Sequence, residues 1–320
     1  MTDWRWRKQG NIFDPRNHRA WAGSHAQVPT VLVKKDVLRI FYADRTPANQ
    51  SFTTYLDVAR DDPSRVVYLH KKPILPFGRT GTFDDDGVMP AFVIEDRGRV
   101  YLYYNGWNRR VTVPFHNATG LAVSDDGGDT FTRMFDGPIL DRVPREPYIA
   151  VTPCVIKDGD DWLMWYSSGV DWVTVAGKPE AVYVIKHAHS RDGIHWQRPN
   201  VLSVAPRHAG EAFSHPSVIK DGDVYRMWYC VRDSQDYHDG GGSYRMGYAE
   251  SRDGREFQRR DDDAGITVSA SGWDSTMICY PYVVSVDDRT YLFYNGNGFG
   301  QTGIGYAVAE PIDVGILNLA

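Results

Sequence analysis

One short segment recurs five times along the chain and constrains its fold more than any other feature. Residues 152–169 show it most clearly: Val155 and Ile156 are β-branched, Asp158-Gly159-Asp160 has turn composition, and an apolar run extends from Trp162 to Tyr166. This pattern predicts two antiparallel strands joined by a tight turn. Copies begin near Pro29, Pro90, Pro153, Pro216 and Pro281, which lie 61, 63, 63 and 65 residues apart. A near-constant period indicates an array with one supersecondary unit per repeat.

Three of the repeats end in a Ser-x-Asp-Gly turn and an aromatic residue, at 124–131, 190–196 and 251–257. A short strand of small residues precedes each turn, so one repeat contains four strands, which is typical of a propeller blade. The sequence therefore predicts an all-β protein, a five-bladed β-propeller with four antiparallel strands per blade, in a single domain over residues 1–320. Residues 1–20 are expected to supply an outer strand or to lie across the edge, and residues 303–310 to pair near them and close the ring.

Composition excludes several classes of function. The net charge of −5 does not indicate nucleic acid or an anionic membrane as a partner, and no apolar run is long enough to span a membrane. The N-terminal residues lack the apolar region of a signal peptide, and an odd count of three cysteines favours buried thiols over a disulfide framework. These features predict a cytoplasmic protein. Zinc-ligand spacings, a phosphate-binding glycine loop and a nucleophile elbow are not found, so neither a cofactor nor a metal is predicted.

The segments that lead into each repeat proline should enter the innermost strands and carry any chemistry of a propeller. We call them the lead-in segments; they are residues 24–28, 83–89, 145–152, 210–215 and 272–280. Four of the five contain carboxylates, which are Asp84, Asp85, Asp86, Glu146, Glu211 and Asp274. Carboxylates that converge on one channel are typical of glycoside hydrolysis, because one carboxyl group must stay protonated and another must be ionised. The alternative is that these acids only hold turn amides.

Roles follow for five of the acids if the chemistry is glycosidic. Asp85 or Asp84 is the candidate base or nucleophile, and Glu211 is the candidate general acid. Asp274 or Glu146 would tune the pKa of the others and bind a hydroxyl.

Polar and aromatic residues around the second strands are candidates for substrate binding. Trp107 and Trp172 fall outside the core pattern and offer flat platforms for a sugar, or else pack between blades. Arg142 and Arg232 either pair with nearby acids or bind a carboxylate or phosphate of the substrate. The predicted substrate-binding residues are His25, Asn105, Trp107, Arg142, Trp172, His215, Arg232, Tyr280 and Asn297. For the histidines a hydrogen-bonding or core role is favoured over metal ligation, and a calcium ion in the channel remains an alternative.

With P-x-V-I-x-D-G-D-x-Y-x-M-W-Y followed by S-x-D-G-x-x-W, the chain resembles the five-bladed β-propeller glycoside hydrolases over residues 22–310. That superfamily includes families 43, 32, 62, 68, 117 and 130. The resemblance implies hydrolysis or transfer of a glycosyl group in a central pocket with three carboxylates. Family 43 members place the base Asp in the first lead-in segment, where this chain has Ser24-His25-Ala26-Gln27-Val28, and the family 32 pattern W-M-N-D-P-N is absent. Because of these departures, catalytic roles do not transfer one by one. With F-D-D-x-G-V at 83–88 and G-W-D-S at 272–275, the chain resembles uncharacterised members of the superfamily more closely.

The sequence thus predicts a glycoside hydrolase that acts on a small glycoside or oligosaccharide, and the resemblance to family 43 favours inversion. A glycosyl-transferring enzyme or a glycoside phosphorylase is one alternative. A propeller that binds a carbohydrate or a protein without catalysis is another, because fold alone does not define function. The expected partner is a small carbohydrate; the oligomeric state is not predicted.

Overall fold

The computed structural model describes residues 4–18, 23–238 and 241–310, and these residues form an almost entirely β structure. The strands are β1 (Arg5–Phe13), β2 (Gln27–Val33), β3 (Val37–Arg45), β4 (Ser51–Ala59), β5 (Val66–Leu69), β6 (Gly87–Asp96), β7 (Arg99–Arg109), β8 (Phe115–Ser124), β9 (Thr132–Arg133), β10 (Ala150–Asp158), β11 (Asp161–Val175), β12 (Lys178–Ser190), β13 (Glu211–Asp221), β14 (Val224–Asp233), β15 (Arg245–Ser251), β16 (Gln258–Arg259), β17 (Cys279–Val286), β18 (Arg289–Asn295) and β19 (Ile304–Glu310). Two 3₁₀ turns, Pro15–His18 and Asp261–Asp263, and the short helix α1 (Asn297–Gly300) complete the described elements.

Antiparallel pairing groups the strands into consecutive units. Unit 1 is β2–β5, unit 2 is β6–β9, unit 3 is β10–β12, unit 4 is β13–β16, and unit 5 is β17–β19 with β1 on its outer side. Strand β1 pairs antiparallel with β19, from Arg5 opposite Glu310 to Phe13 opposite Ile304. The predicted outer N-terminal strand and its pairing with the C-terminal strand are therefore confirmed.

The turns that define the repeat form as their sequences predict. In unit 3, Asp158 pairs with Asp161 across a two-residue turn in which Gly159 has φ +62°. After the third strand of unit 2, the Ser124 hydroxyl donates to Asp126 and accepts from the N–H of Gly128. Equivalent serine-centred turns follow Ser190 and Ser251. Because the side chain satisfies turn N–H groups, the chain reverses at the same place in each of these units.

The first strands of the units contact one another in cyclic order. Strand β2 contacts β6, β6 contacts β10, β10 contacts β13, β13 contacts β17, and β17 returns to β2. The units therefore follow one another in a closed arrangement with these inner strands at its centre. The inner strands begin at one edge of this arrangement, where the second strands also end and the third strands start. We call it the lead-in edge.

Apolar residues fill the space between neighbouring units. One cluster joins Tyr282 and Phe293 of unit 5 to Leu38 and Tyr42 of unit 1, and similar clusters follow between each pair of successive units. The MWY and LYY segments supply these clusters because strand side chains alternate between the two faces, and both faces of a unit meet a neighbour. Among the described helical elements, none has the length and apolar character needed to cross a membrane.

Candidate active site

Each inner strand has a β-bulge near its repeat proline. In units 1, 3, 4 and 5 the bulge takes in the proline and the residue before it, whereas in unit 2 Pro90 pairs in register with Tyr104 and the irregularity falls at Ala91. The residues directly before these prolines are Val28, Met89, Thr152, His215 and Tyr280. All but Met89 adopt positive φ, at 59°, 49°, 53° and 55° in chain order. Positive φ is uncommon outside glycine and a genuine outlier for β-branched residues, and such strain concentrates at functional sites. The bulges turn the backbone at the centre of the lead-in edge.

Side chains from the preceding unit hold the strained residues. The N–H of Val28 donates to Asn295 Oδ1 at 2.7 Å, and the N–H of Thr152 donates to Asn105 Oδ1 at 2.7 Å. The N–H of His215 donates to Ser167 Oγ at 3.2 Å, and the N–H of Tyr280 donates to Cys230 Sγ at 3.0 Å. Each acceptor directly follows the buried tyrosine of a second strand, and the equivalent residue of unit 1, Ala43, has no polar side chain. Met89 of unit 2, for which Ala43 stands at the acceptor position, is also the residue that does not adopt positive φ.

Four of the predicted catalytic carboxylates are buried, and each forms an ion pair with a basic residue of its own unit. The pairs are Asp84–Arg133 at 2.7 Å, Glu146–Arg198 at 3.1 Å, Glu211–Arg259 at 2.6 Å and Asp274–Lys8 at 2.6 Å. In units 2, 3 and 5 the hydroxyl of the second-strand tyrosine also donates to the carboxylate, and in unit 4 it donates to neighbouring Asp261. We call each such group a carboxylate latch, because it ties a lead-in segment to the second strand and to an outer segment.

The electrostatics of its latch argue against the predicted role of Glu211 as the general acid. Burial alone would raise the pKa of the Glu211 carboxyl, but hydrogen bonds from Arg259 and from the N–H of Arg207 outweigh it, so the pKa lies below its usual value. A general acid needs a raised pKa. The pKa of Glu146 is also lowered, since Arg198 and Ser168 more than offset its desolvation. The catalytic roles of Asp84, Glu146, Glu211 and Asp274 stay predictions.

Asp85 differs from the other predicted catalytic acids. Its Oδ2 accepts from the N–H of Gly81 at 2.7 Å, and its Oδ1 has no hydrogen-bond partner. None of the ion pairs found in the described residues includes Asp85, whereas Asp86 pairs with Arg109 at 3.0 Å. This Oδ1 is buried, and Asp85 is thus the predicted catalytic acid that no cation among the described residues neutralises.

Several predicted binding residues support the backbone or a neighbouring side chain instead. Besides Asn105, Asn297 accepts from the N–H groups of Thr276 and Met277 at 2.8 and 3.1 Å. Trp107 Nε1 donates to Ser51 Oγ at 2.5 Å, and His25 Nδ1 lies 2.6 Å from its neighbour Ser24 Oγ. Trp107 is nevertheless only half-buried, so part of its ring stays accessible.

Arg232, His215 and Tyr280 come together in an aromatic cluster on units 4 and 5. The Arg232 guanidinium lies 3.7 Å from the ring centroid of Tyr237, and His215 packs edge-on against Tyr280 at 5.6 Å. Tyr244 connects the two pairs, at 5.6 Å from the guanidinium and 6.1 Å from the Tyr280 ring. Burial lowers the pKa of His215 to about 3, so this imidazole is neutral.

Arg142 and Trp172 lie in a different place, in a cavity of about 540 Å³ between units 2 and 3. The other walls of this cavity include Phe115, and also Arg110 and Tyr148, which the sequence interpretation did not single out. Phe115 was visible as an aromatic residue after a turn, but nothing in the sequence indicated that it packs against Trp172. Within the described ranges, no group of three potential metal ligands is found, and the expectation of a protein without metal stays a prediction.

Solved structures share this fold over nearly the whole chain. The complex of BT0996 with RGII has a TM-score of 0.71 at 20% identity, and the match covers 96% of this chain and 92% of the BT0996 chain. A thermostable family-43 glycoside hydrolase has a TM-score of 0.65 at 16% identity and matches 90% of each chain. The predicted resemblance to propeller glycoside hydrolases is confirmed at the level of the fold.

Two sequence relatives come from Mycobacterium tuberculosis. The uncharacterized proteins Rv1502 (strain H37Rv) and MT1551 (strain CDC 1551) are each 36% identical over 307 residues, which are 95% of this chain and 99% of theirs. The chain belongs to the same family as these two proteins. No family model matches it.

Proposed function

We propose that this protein is a glycosidase-type enzyme that acts on a small glycoside at the lead-in edge of a five-bladed β-propeller. The observation that carries the proposal is the shared fold with a family-43 glycoside hydrolase over 90% of the chain. The cyclic contacts of the inner strands support five blades, and the strained bulges support a functional centre at the lead-in edge.

Asp85 is the proposed base. In an inverting mechanism it would take a proton from the attacking water while a second carboxyl protonates the leaving oxygen. The candidate for that second carboxyl is Glu180, which lies near the start of β12 at the lead-in edge. Its oxygens accept from Tyr237 Oη at 2.6 Å and lie 3.1 Å from His238 Nε2. None of the Lys or Arg ion pairs of the described residues includes Glu180, in contrast to the latch carboxylates.

A turnover screen tests this proposal. Purified protein is assayed on 4-nitrophenyl furanosides and pyranosides and on nucleotide sugars, with Asp85→Asn, Glu180→Gln and Glu211→Gln alongside. The control is Asp125→Asn, which changes an exposed carboxylate on a serine-centred turn. We expect Asp85→Asn to lower kcat by at least about a hundredfold, the usual contribution of a general base, while Asp125→Asn keeps full activity. Full turnover by Asp85→Asn would remove Asp85 from the mechanism.

A carbohydrate-binding propeller without catalysis is the second candidate. It is favoured by one observation, the neutralisation of four predicted catalytic carboxylates by ion pairs. The same screen separates the two, because a folded protein that binds sugars and turns over none of the panel fits the binding function.

A further inference from the structure

The cavity between units 2 and 3 opens at the lead-in edge. Its walls come from the loop between β7 and β8, from the start of β8, from the lead-in segment of unit 3 and from the β11 hairpin. Its volume of about 540 Å³ lies within the range of small-molecule sites. Its lining extends to Ile149, the residue directly before the inner strand β10.

One wall of the cavity is aromatic. Phe115 and Trp172 pack edge to face with ring centroids 5.3 Å apart, and Tyr148 lies next to them. All three rings are half-buried, so each keeps part of its surface accessible. Such a wall suits the apolar face of a sugar ring, because it offers contact area with little conformational freedom to lose.

The charged residues that line the cavity are the cations Arg110 and Arg142. The carboxylate nearest to Arg142 is Asp141, at 3.9 Å from Nε, beyond hydrogen-bond distance. The same Asp141 Oδ1 already lies 2.8 Å from His116 Nε2 and accepts from the N–H of Arg142 at 2.7 Å. Of the ion pairs formed by described residues, none includes Arg110. Both guanidinium groups therefore keep donors for a ligand.

We propose that this cavity binds a sugar that carries a carboxylate, as a uronic acid residue does. Trp172 and Phe115 contact the ring, and Arg142 with Arg110 binds the carboxylate, for which a planar guanidinium has matching geometry. The inference rests on the proposed function, because it specifies acidic sugars as the class of substrate that binds at the lead-in edge. It requires only binding, however, and can be tested without turnover.

Titration calorimetry with matched sugars tests the binding. Methyl β-D-glucuronide and methyl β-D-glucoside differ only in the substituent on C5, and the galacto pair provides a second comparison. We expect the uronides to bind at least about tenfold more tightly than the neutral glycosides, since a hydrogen bond to a charged group accounts for that ratio or more. The preference should shrink as NaCl is raised, because exposed charges are screened. Equal affinity within both pairs, or equal competition by inorganic phosphate, would overturn the assignment.

Variants locate the site. Arg142→Gln and Arg110→Gln should each weaken uronide binding and leave the neutral glycosides unchanged, and Trp172→Leu should weaken both. The matched control is Arg191→Gln, which changes an exposed arginine on the turn at the opposite end of unit 3. Uronide affinity that is unchanged in the Arg110→Gln/Arg142→Gln double variant overturns the proposal.

Turnover separates this inference from the proposed function. Uronide binding that depends on Arg142, with no hydrolysis of any 4-nitrophenyl glycoside, would retain the acidic-sugar site and remove the enzyme activity. Hydrolysis of neutral glycosides by a protein that binds the uronides no more tightly than the neutral glycosides would do the reverse.

Discussion

Arg259 donates to both carboxylate oxygens of Glu211, with Nη2 at 2.6 Å from Oε1 and Nη1 at 2.7 Å from Oε2. Both side chains are largely buried, and Arg259 also lies 2.6 Å from Asp261. One cation thus neutralises two acids, which is the arrangement expected of a structural pair rather than of a proton donor.

This geometry predicts an unequal cost for the two partners. Arg259→Gln leaves two largely buried carboxylates without this cation, and we expect it to lower the free energy of unfolding by about 3–5 kcal/mol. Glu211→Gln leaves Arg259 paired with Asp261 and should cost less. Urea denaturation of both variants and of the double variant measures the difference. A Glu211→Gln protein of native stability and no turnover would instead restore Glu211 as the general acid.

Asn295 connects the last unit to the first. Its Oδ1 accepts from the N–H of Val28, and its Nδ2 donates to the carbonyls of Ala26 and Gly303 at 2.6 and 2.8 Å. Asn295→Ala leaves three buried backbone groups without these bonds, each of which costs about 1–3 kcal/mol. We therefore expect a loss of several kcal/mol in urea denaturation.

A second variant at the same position separates hydrogen bonding from volume. Asn295→Asp keeps the size and the acceptor but turns a donor into an oxygen beside two carbonyls, so it should be at least as destabilising as alanine. Native stability of Asn295→Asp would show that these bonds contribute little.

The β fold could be predicted from the sequence because every repeat carries the same pair of buried strands joined by a short turn, and three of the five repeats also carry the serine-centred turn. The carboxylate latches were also visible in part. An aromatic residue precedes the latch cation by two positions in Phe131-Thr132-Arg133, Trp196-Gln197-Arg198, Phe257-Gln258-Arg259 and Trp6-Arg7-Lys8. The pairing of each cation with its carboxylate could not be predicted, since Asp84 and Arg133 are 49 residues apart and Lys8 and Asp274 are 266 apart. Carboxylate count alone does not distinguish an acid that reacts from one that holds a loop.

The cavity between units 2 and 3 shows why binding residues were harder to predict. Arg142 and Trp172 were candidates on composition, yet they acquire a common role only through Phe115 of the neighbouring unit. That contact depends on how two adjacent units are rotated, which local sequence does not encode.

Two buried histidines predict how stability depends on pH. Burial lowers the pKa of His215 to about 3, and burial with the Arg45 charge lowers that of His25 to about 4. Below pH 6.5 the unfolded chain binds protons at these residues that the folded protein does not, so stability falls as pH falls. Each contributes a slope of about 1.4 kcal/mol per pH unit.

As pH falls, the loss of stability due to the histidines levels off near pH 4 for His25 and near pH 3 for His215. It begins at a higher pH than the loss due to the carboxylates. Glu146 and Glu211 have lowered pKa values, so their contribution is lost only below their ordinary value of 4.5. Urea denaturation between pH 7.5 and 5 therefore isolates the histidines, to which His187, whose pKa is also lowered by burial, adds in the same direction. His215→Asn should reduce the slope. A stability that is flat across this range would contradict neutral buried imidazoles.

Lys8 closes the last unit through the final latch. Its Nζ lies 2.6 Å from Asp274 Oδ2, and the carboxylate, which is 1% exposed, also accepts from Tyr294 Oη at 3.0 Å. Lys8→Met removes the cation and leaves a buried charge, so we expect a loss of about 3–5 kcal/mol in the free energy of unfolding. The control is its neighbour Arg7→Gln, whose side chain is 62% exposed and 3.5 Å from Glu310, and which should change stability by less than about 1 kcal/mol. Equal effects of the two variants would mean that β1 is held by its strand pairing with β19 rather than by the latch.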